Sequence, residues 1–350
     1  RMSMASQAPL AAYGRATHAA LSVGTVSDVD VAPDFNETLH ALRGRALGAM
    51  PPGARHLVSV GCAGRWYFDW VAQEYGPIEL HTGVEFYSPE PDGLPPNVRW
   101  VANTAGDLDA IGDDEADLVF SGQNIEHLWP VDVVGFLSET NRVLRTDGVL
   151  VIDSPNRSIA AALGWSQPEH TVEFSVDEAV ELVELAGFAV DRVDGLWNCR
   201  AANGDLLPLM PASAAEVVAR SDVSTPADAF VWWIEAHRVG PPDVAALARR
   251  VEEIFAEAWP ERCERWQSDT SAFTRGTDRV CVTVPEGAER TLFAGPAMPL
   301  TAGAYTAQFR VRVPGPAVDG PVGRCAVSIG GGVVERLGLE ARHDAELRVA

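Results

Sequence analysis

The sequence predicts an α/β protein: a parallel sheet with helices on both faces, then a helical segment, then a C-terminal β-sandwich-like module. Three observations carry this. Between residues 55 and 197, short apolar runs of strand length take turns with runs of helical periodicity. The first strand-like run, HLVSVG, ends in a glycine-bearing turn, GCAGR, before a helix begins. The pattern then changes twice, to loop and helix after residue 200 and to alternating strands with glycine and proline turns after residue 271.

In chain order, VAPDFNETLHALRGRALGAM (31–50) sets Phe35, Leu39, Leu42 and Leu47 at roughly helical spacing, and PPG at 51–53 stops it, which gives a helical lead-in over 1–54. The sheet domain, 55–200, follows as strand HLVSVG, helix WYFDWVAQEY, strands ELHTGVEFY, RWVANTA and ADLVFSG, helix VVGFLSETNRVL, strand GVLVIDSP, helix SVDEAVELVELAGF and strand AVDRVDGLW. In such sheets ligands lie beyond the carboxyl ends of the strands. A connecting region, 201–270, reads as loop-rich and then as two helices, DAFVWWIEAHRVG and DVAALARRVEEIFAEAWPERCERW, divided by GPP. The last module, 271–350, holds RVCVTVPEG, GAYTAQFRVRVPG, RCAVSIGGG and ELRVA, with alternation and no helical period.

Composition narrows the function. The chain of 350 residues is 47% hydrophobic and carries a formal charge of −22, with every basic side chain an arginine. A broad negative field repels phosphate backbones, so no nucleic-acid partner is expected. Five cysteines, at 62, 199, 263, 281 and 325, form no C-x-x-C pair, which argues against a zinc knuckle and a disulfide scaffold. No apolar run approaches the ~20 residues that span a bilayer, and the first residues lack a signal-peptide core, so the expectation is no membrane span and a cytoplasmic location.

Chemistry starts at the turn. Gly61, with Cys62, Ala63 and Gly64, lets a ligand approach backbone that a bulkier turn would screen. A nicotinamide fingerprint, G-x-G-x-x-G, is interrupted by Ala63 and Phe68, which weakens a hydride-transfer reading. The second strand ends in an acid, Glu85, placed to accept both hydroxyls of a ribose. The third is followed by ANTAGDLDAI with Asp107, and the fourth by SGQNIEHLWP.

This order of turn, acid, acid and polar strand end, with IEHLW and NRVLRTDGVLVIDSPN as its most characteristic pieces, resembles the class I S-adenosylmethionine-dependent methyltransferases over residues ~55–197. The resemblance implies a Rossmann-like methyltransferase sheet and S-adenosyl-L-methionine as cofactor. It implies that Gly61, Cys62 and Ala63 back the methionine part, that Glu85 binds the ribose, and that Ser121 and Gly122 lie beside the amino-acid end. Asp107 with the Leu108 amide would flank the adenine, or Asn103 if the loop is shifted. The family's usual D-x-G-x-G-x-G is altered here, with Ser59 for the acid, Ala63 for the second glycine and Arg65 for the third.

Methyl transfer to a hydroxyl needs in-line approach and removal of the proton, best by a group titrating near neutrality. His127 follows the fourth strand and Glu126 precedes it; Asp153 ends the fifth strand, and His170 lies in QPEHTVEFS, in the loop that covers the acceptor in this family. Some relatives hold a divalent metal at a comparable glutamate-histidine pair. The resemblance therefore implies a metal alternative, Mg2+ held by Gln123, Glu126, His127 and Asp153. His127 as a strand-end packing residue is the competing reading.

The acceptor is expected to be a sugar, oligosaccharide or polysaccharide hydroxyl. Trp129, Trp165, Trp197, Trp232, Trp233, Trp259 and Trp266 offer flat faces to sugar rings, although indoles at such spacing also build cores. GPAMPLTAGAYTAQFRVRV resembles β-sandwich appendages of bacterial enzymes of surface-polysaccharide assembly; Thr283, Thr306, Gln308, Arg310 and Arg312 would offer a sugar polar contacts, the alternatives being a module that positions a partner subunit or a purely structural sandwich over the helices at 227–266. The alternative is a non-catalytic glycan-binding or scaffold protein with a degenerate methyltransferase domain.

Overall fold

The computed structural model of the chain describes residues 35–165, 167, 170–221 and 225–264, with short strands between 267 and 349. Two compact units emerge, one over 13–298 and one combining 1–12 with 299–350. In the first unit, helix α1 (Phe35–Gly48) leads to β1 (His56–Val60), α2 (Arg65–Tyr75), β2 (Leu80–Glu85), β3 (Val98–Ala102), β4 (Ala116–Gly122), α3 (Pro130–Val143), β5 (Leu144–Pro155), α4 (Arg157–Leu163), α5 (Val176–Leu185), β6 (Phe188–Asn198), α6 (Ala214–Ser221), β7 (Ala229–Arg238) and α7 (Val244–Glu264).

The seven strands form one sheet in the order β3-β2-β1-β4-β5-β7-β6. The first five are parallel, and β7 enters antiparallel to both β5 and β6. The reversal of strand order on either side of β1 and β4 opens a crevice at their carboxyl ends.

Each face of the sheet is covered by its own set of helices. On one side Phe35, Leu39, Leu42 and Leu47 of α1 and Tyr67, Phe68, Trp70 and Val71 of α2 pack with Leu57, Phe120 and Trp233. On the other, Val133, Phe136 and Leu137 of α3, Leu182 and Val183 of α5, and Leu247, Val251 and Ile254 of α7 pack with Val58, Val60, Leu150 and Trp232. Helix α5 starts on a full capping box, in which Ser175 Oγ accepts from the Glu178 amide and the Glu178 carboxylate accepts from the Ser175 amide.

The segment expected as a helix at 228–240 is a strand. Ala229–Ile234 is buried at every position, and a short apolar run with both faces covered has no period by which to tell a central strand from a buried helix. The sheet thus extends past residue 200. Trp232 and Trp233 on this strand and Trp197 on β6 are fully buried, and their indole N–H groups donate to the Phe174 carbonyl, Glu235 and the Leu209 carbonyl. These three are core residues, not sugar platforms; the Trp259 side chain and Trp266 lie outside the described residues.

Beyond α7, β8 (Gln267–Ser268) pairs with β11 (Phe293–Ala294), and β9 (Phe273–Arg275) with β10 (Val280–Val282), all antiparallel. In the second unit, β12 (Tyr305–Arg310) pairs antiparallel with β15 (Asp344–Val349), and β13 (Gly323–Ile329) with β14 (Gly332–Leu339). These are two-stranded ribbons. Of the polar positions suggested for sugar contact, Thr306, Gln308 and Arg310 fall on β12, and Thr283 and Arg312 lie outside the described residues.

The sheet holds buried histidines. His81 Nε2 lies 2.8 Å from the Oγ of Ser59, on β1, and His56 Nε2 lies 2.8 Å from Thr82 Oγ1. Burial, reinforced by His56, holds the His81 pKa down at about 3. A ring kept neutral in the fold but titrating near 6.5 when unfolded gives stability that is complete above pH 6.5 and is lost as pH falls toward 3. For His81 the loss at pH 5 is about 2 kcal/mol. The urea midpoint is therefore expected to drop between pH 7 and pH 5, with a shallower drop in His81→Gln; equal slopes in the two proteins would show that this ring is not the source.

Candidate functional site

The site is assembled at the carboxyl ends of β1 to β5. After β1, Gly61 takes φ 82° while its N–H still donates to the Val84 carbonyl at 2.9 Å, and a Cβ there would stand 2.6 Å from Asn124 Oδ1. Only glycine meets both conditions. Cys62 is buried with its thiol 3.6 Å from the Val84 carbonyl, so it presents backbone alone to the crevice; Ala63 is exposed. Gly83 makes room for this packing, since a Cβ there would lie 2.6 Å from Cys62 Sγ and run into Phe68. Helix α2 begins at Gly64, which offers no capping side chain, so the helix start opens toward the crevice with no side-chain acceptor from its cap.

Glu85 ends β2 beside this turn. Its Oε1 accepts from the Tyr87 amide at 2.8 Å and the Ser88 amide at 3.0 Å, which fixes the carboxylate. Burial raises its pKa, partly offset by those backbone donors. Next to it, Asn103 directly follows β3, donates its N–H to the Glu85 carbonyl at 3.2 Å, and accepts from the Thr104 amide through Oδ1. Asp107 sits further along the loop, with Oδ1 accepting from the Asp109 amide. The Leu108 amide does not face the crevice: it donates to Glu139 on α3, and the Leu108 carbonyl accepts from Arg142, so the expected contact there is corrected. Asn103 is the loop residue adjacent to Glu85.

Ser121 and Gly122 end β4. The Ser121 hydroxyl is buried and donates to the Val60 carbonyl at 3.1 Å while accepting from Asn124 Nδ2 at 3.0 Å, which laces β4 to the Gly61 turn. Gly122 is a glycine for a different reason. A Cβ there would run into the Arg43 guanidinium and stand 2.5 Å from Asp153 Oδ2.

Asp153 is fully buried and accepts from Arg43 Nε at 2.8 Å and from Gln123 Nε2 at 2.7 Å; Arg43 in turn lies over the Trp70 and Phe120 rings. A carboxylate neutralised by a guanidinium is a poor cation ligand, so Asp153 and Gln123 are not the metal set that the resemblance implied. Asp153 is a tie between α1 and β5. Arg43 escaped the sequence reading, although it sits one turn from both Leu39 and Leu47 on the buried stripe of α1.

The remaining three titratable residues do converge. A turn of 3-10 helix, Ile125–His127, carries Glu126 and His127, and the Thr171 amide and hydroxyl hold His170 against it by bonding the Glu126 carbonyl at 2.7 and 2.8 Å. Glu126 is fully buried. Its Oε2 accepts from Ser154 Oγ at 2.9 Å, and its Oε1 lies 3.9 Å from His170 Nε2. His170 Nδ1 lies 3.0 Å from Glu173 Oε1, and the His127 and His170 rings meet edge to face at 4.7 Å. Burial pushes the Glu126 pKa up to about 7, with His170 and Ser154 opposing the shift. Trp165 packs on His170 at 5.6 Å and on Phe230 at 4.9 Å. Ser154 and Glu173 had no sequence signal, because each is one polar residue among strand-like or loop neighbours.

Among the described residues no helix is long and apolar enough to cross a membrane. Residues 58–152 match the family described as "Methyltransferase domain". The chain is 42% identical over 89 residues to a probable S-adenosylmethionine-dependent methyltransferase of Mycolicibacterium smegmatis, covering 25% of this chain and 34% of that protein. A probable S-adenosylmethionine-dependent methyltransferase of Mycobacterium tuberculosis is 39% identical over 89 residues, 25% of this chain and 31% of its own length. The chain thus spans about a third of the length of these curated relatives. Among solved structures, a SAM-dependent methyltransferase from Archaeoglobus fulgidus aligns with TM-score 0.43 at 20% identity, covering 58% of this chain and 94% of that one. The N-methyltransferase NodS from Bradyrhizobium japonicum, solved with S-adenosyl-L-homocysteine, aligns with TM-score 0.39 at 11% identity, covering 59% and 88%. Residues 58–152 therefore match a methyltransferase domain, and the curated relatives similar to the chain over 89 residues are probable S-adenosylmethionine-dependent methyltransferases.

Proposed function

We propose that the chain transfers the methyl group of S-adenosylmethionine to a hydroxyl of a saccharide acceptor. The observation that carries the cofactor half is Glu85, a carboxylate fixed by two backbone amides at the end of β2 and set beside the glycine turn of β1. In this reading Glu85 accepts from the ribose hydroxyls, the Gly61–Ala63 backbone backs the methionine part, the start of α2 faces its carboxylate, and Asn103 borders the adenine, with Asp107 further out on the same loop.

The acceptor half rests on the cluster at the end of β4. A hydroxyl acceptor must lose a proton as the methyl arrives, and Glu126 titrates at about 7 beside His127 and His170. The proton would pass from the acceptor oxygen to His127 or Glu126, and His170 with Glu173 would orient the receiving group. Trp129 and Trp165, both partly buried near this cluster, are the indoles left to flank a sugar ring.

Isothermal calorimetry with S-adenosylhomocysteine tests the cofactor half. Glu85→Ala leaves two ribose hydroxyls without their acceptor, at a cost on the order of 1–3 kcal/mol each where buried, so affinity should fall at least about tenfold. Equal binding by wild type and variant would remove Glu85 from the site. Methyl transfer from labelled cofactor to oligosaccharides, but not to amine acceptors, would support the acceptor class; the reverse preference would refute it.

A further inference from the structure

From the geometry of the cluster at the end of β4, we infer that Glu126, His127 and His170 form a binding site for one first-row divalent transition ion of the Zn2+ type, with Glu173 and Ser154 as its supporting shell. One ligand atom from each of the three residues lies within 4.8 Å of the others, a separation that a single ion can bridge. Two imidazoles and one carboxylate are the donor set of zinc and its neighbours, whereas Mg2+ prefers oxygen ligands and retained water.

A second feature points into the same space. Glu126 Oε1 is buried and has no hydrogen-bond partner among the described residues, although Oε2 of the same carboxylate is held by Ser154. A buried carboxylate oxygen left unpaired is costly, and a coordinated cation supplies what it lacks. The outer contacts have the form that metal ligands require. Glu173 lies on Nδ1 of His170 and thereby directs Nε2 toward Glu126, the arrangement in which a carboxylate fixes the tautomer and raises the basicity of a ligating ring. The sequence separates His170 from the Glu126-His127 pair by more than forty residues, and the Thr171 bonds to the 126–128 turn bring them together.

When bound, such an ion would engage His127 and Glu126 as ligands, and as a Lewis acid lowering the pKa of an oxygen placed on it would replace the proton-accepting role that those two groups have without it. This role rests on the proposed function; ion binding itself does not.

The test uses the full chain, stripped with a chelator and dialysed. Calorimetry with ZnCl2 and the visible absorption of added Co2+ are read alongside S-adenosylhomocysteine binding. The expected result is one Zn2+ per chain, a Co2+ spectrum showing nitrogen ligation, and no competition by millimolar Mg2+. His127→Ala, at the half-buried member, should abolish that stoichiometric site while leaving S-adenosylhomocysteine binding intact, and Glu173→Gln should weaken Zn2+ by about 10- to 100-fold. Wild type that takes up no Zn2+, or Zn2+ uptake unchanged in His127→Ala, overturns the inference. Loss of S-adenosylhomocysteine binding in wild type with Zn2+ binding retained would instead refute the cofactor reading alone.

Discussion

His127→Ala is expected to lower kcat for methyl transfer by roughly 10²–10⁴, the range for removal of a group that handles the transferred proton. The side chain lies just past the end of β4, in edge contact with His170, while Gly61–Ala63, Glu85 and Asn103, which the proposal gives to the cofactor, lie at the ends of β1, β2 and β3. Cofactor affinity should therefore change little while turnover collapses, a separation that a merely structural residue would not produce. The ring is half-buried, so its loss need not unfold the sheet. Single-turnover kinetics with saturating S-adenosylmethionine measures the effect, and a variant within a factor of about two of wild type would exclude His127 from proton transfer.

Asp153→Ala is expected to cost about 3–5 kcal/mol of stability, because it strands the Arg43 guanidinium in an apolar setting between Trp70 and Phe120. That is a large part of the margin of an ordinary domain. The variant should show a much lower urea midpoint or fail to accumulate as folded protein. The double variant Arg43→Met/Asp153→Asn removes both charges and should regain a large part of the loss, since buried ion pairs contribute little beyond what an apolar replacement supplies. Two equally unstable proteins would mean that the pair does more than neutralise itself.

What could be read in the sequence divides along physical lines. The parallel half was legible because each strand is short, is followed by a turn signal and alternates with a helix of clear period; Glu85 was legible because it sits where a strand runs out. Strand β7 was not legible, since Phe230 to Ile234 is apolar on both faces and carries no period. The loop after β3 left open which residue borders the ligand, because only the turn of the Leu108 amide toward Glu139 reveals that the far part of the loop serves α3. Asp153 looked like a ligand from its place at a strand end, but a strand end has two sides, and its partner Arg43 lies 110 residues earlier. The convergence of Glu126 and His127 with His170 depends on Thr171, a hydroxyl bonding to the backbone of a distant turn, and such bonds leave no pattern in the chain.

The place of β7 between β5 and β6 also governs how the protein can be made. As the chain leaves the ribosome, β6 emerges before the strand that joins it to the sheet, for its neighbour among the described strands is β7, completed at residue 238. Until then β6 has nothing to pair with, and the edge of β5 from Val149 to Pro155 stands open beside the unfinished site. An open apolar edge is a template for any other extended chain, so the interval between synthesis of residues 155 and 238 is when this protein most needs protection from misassembly.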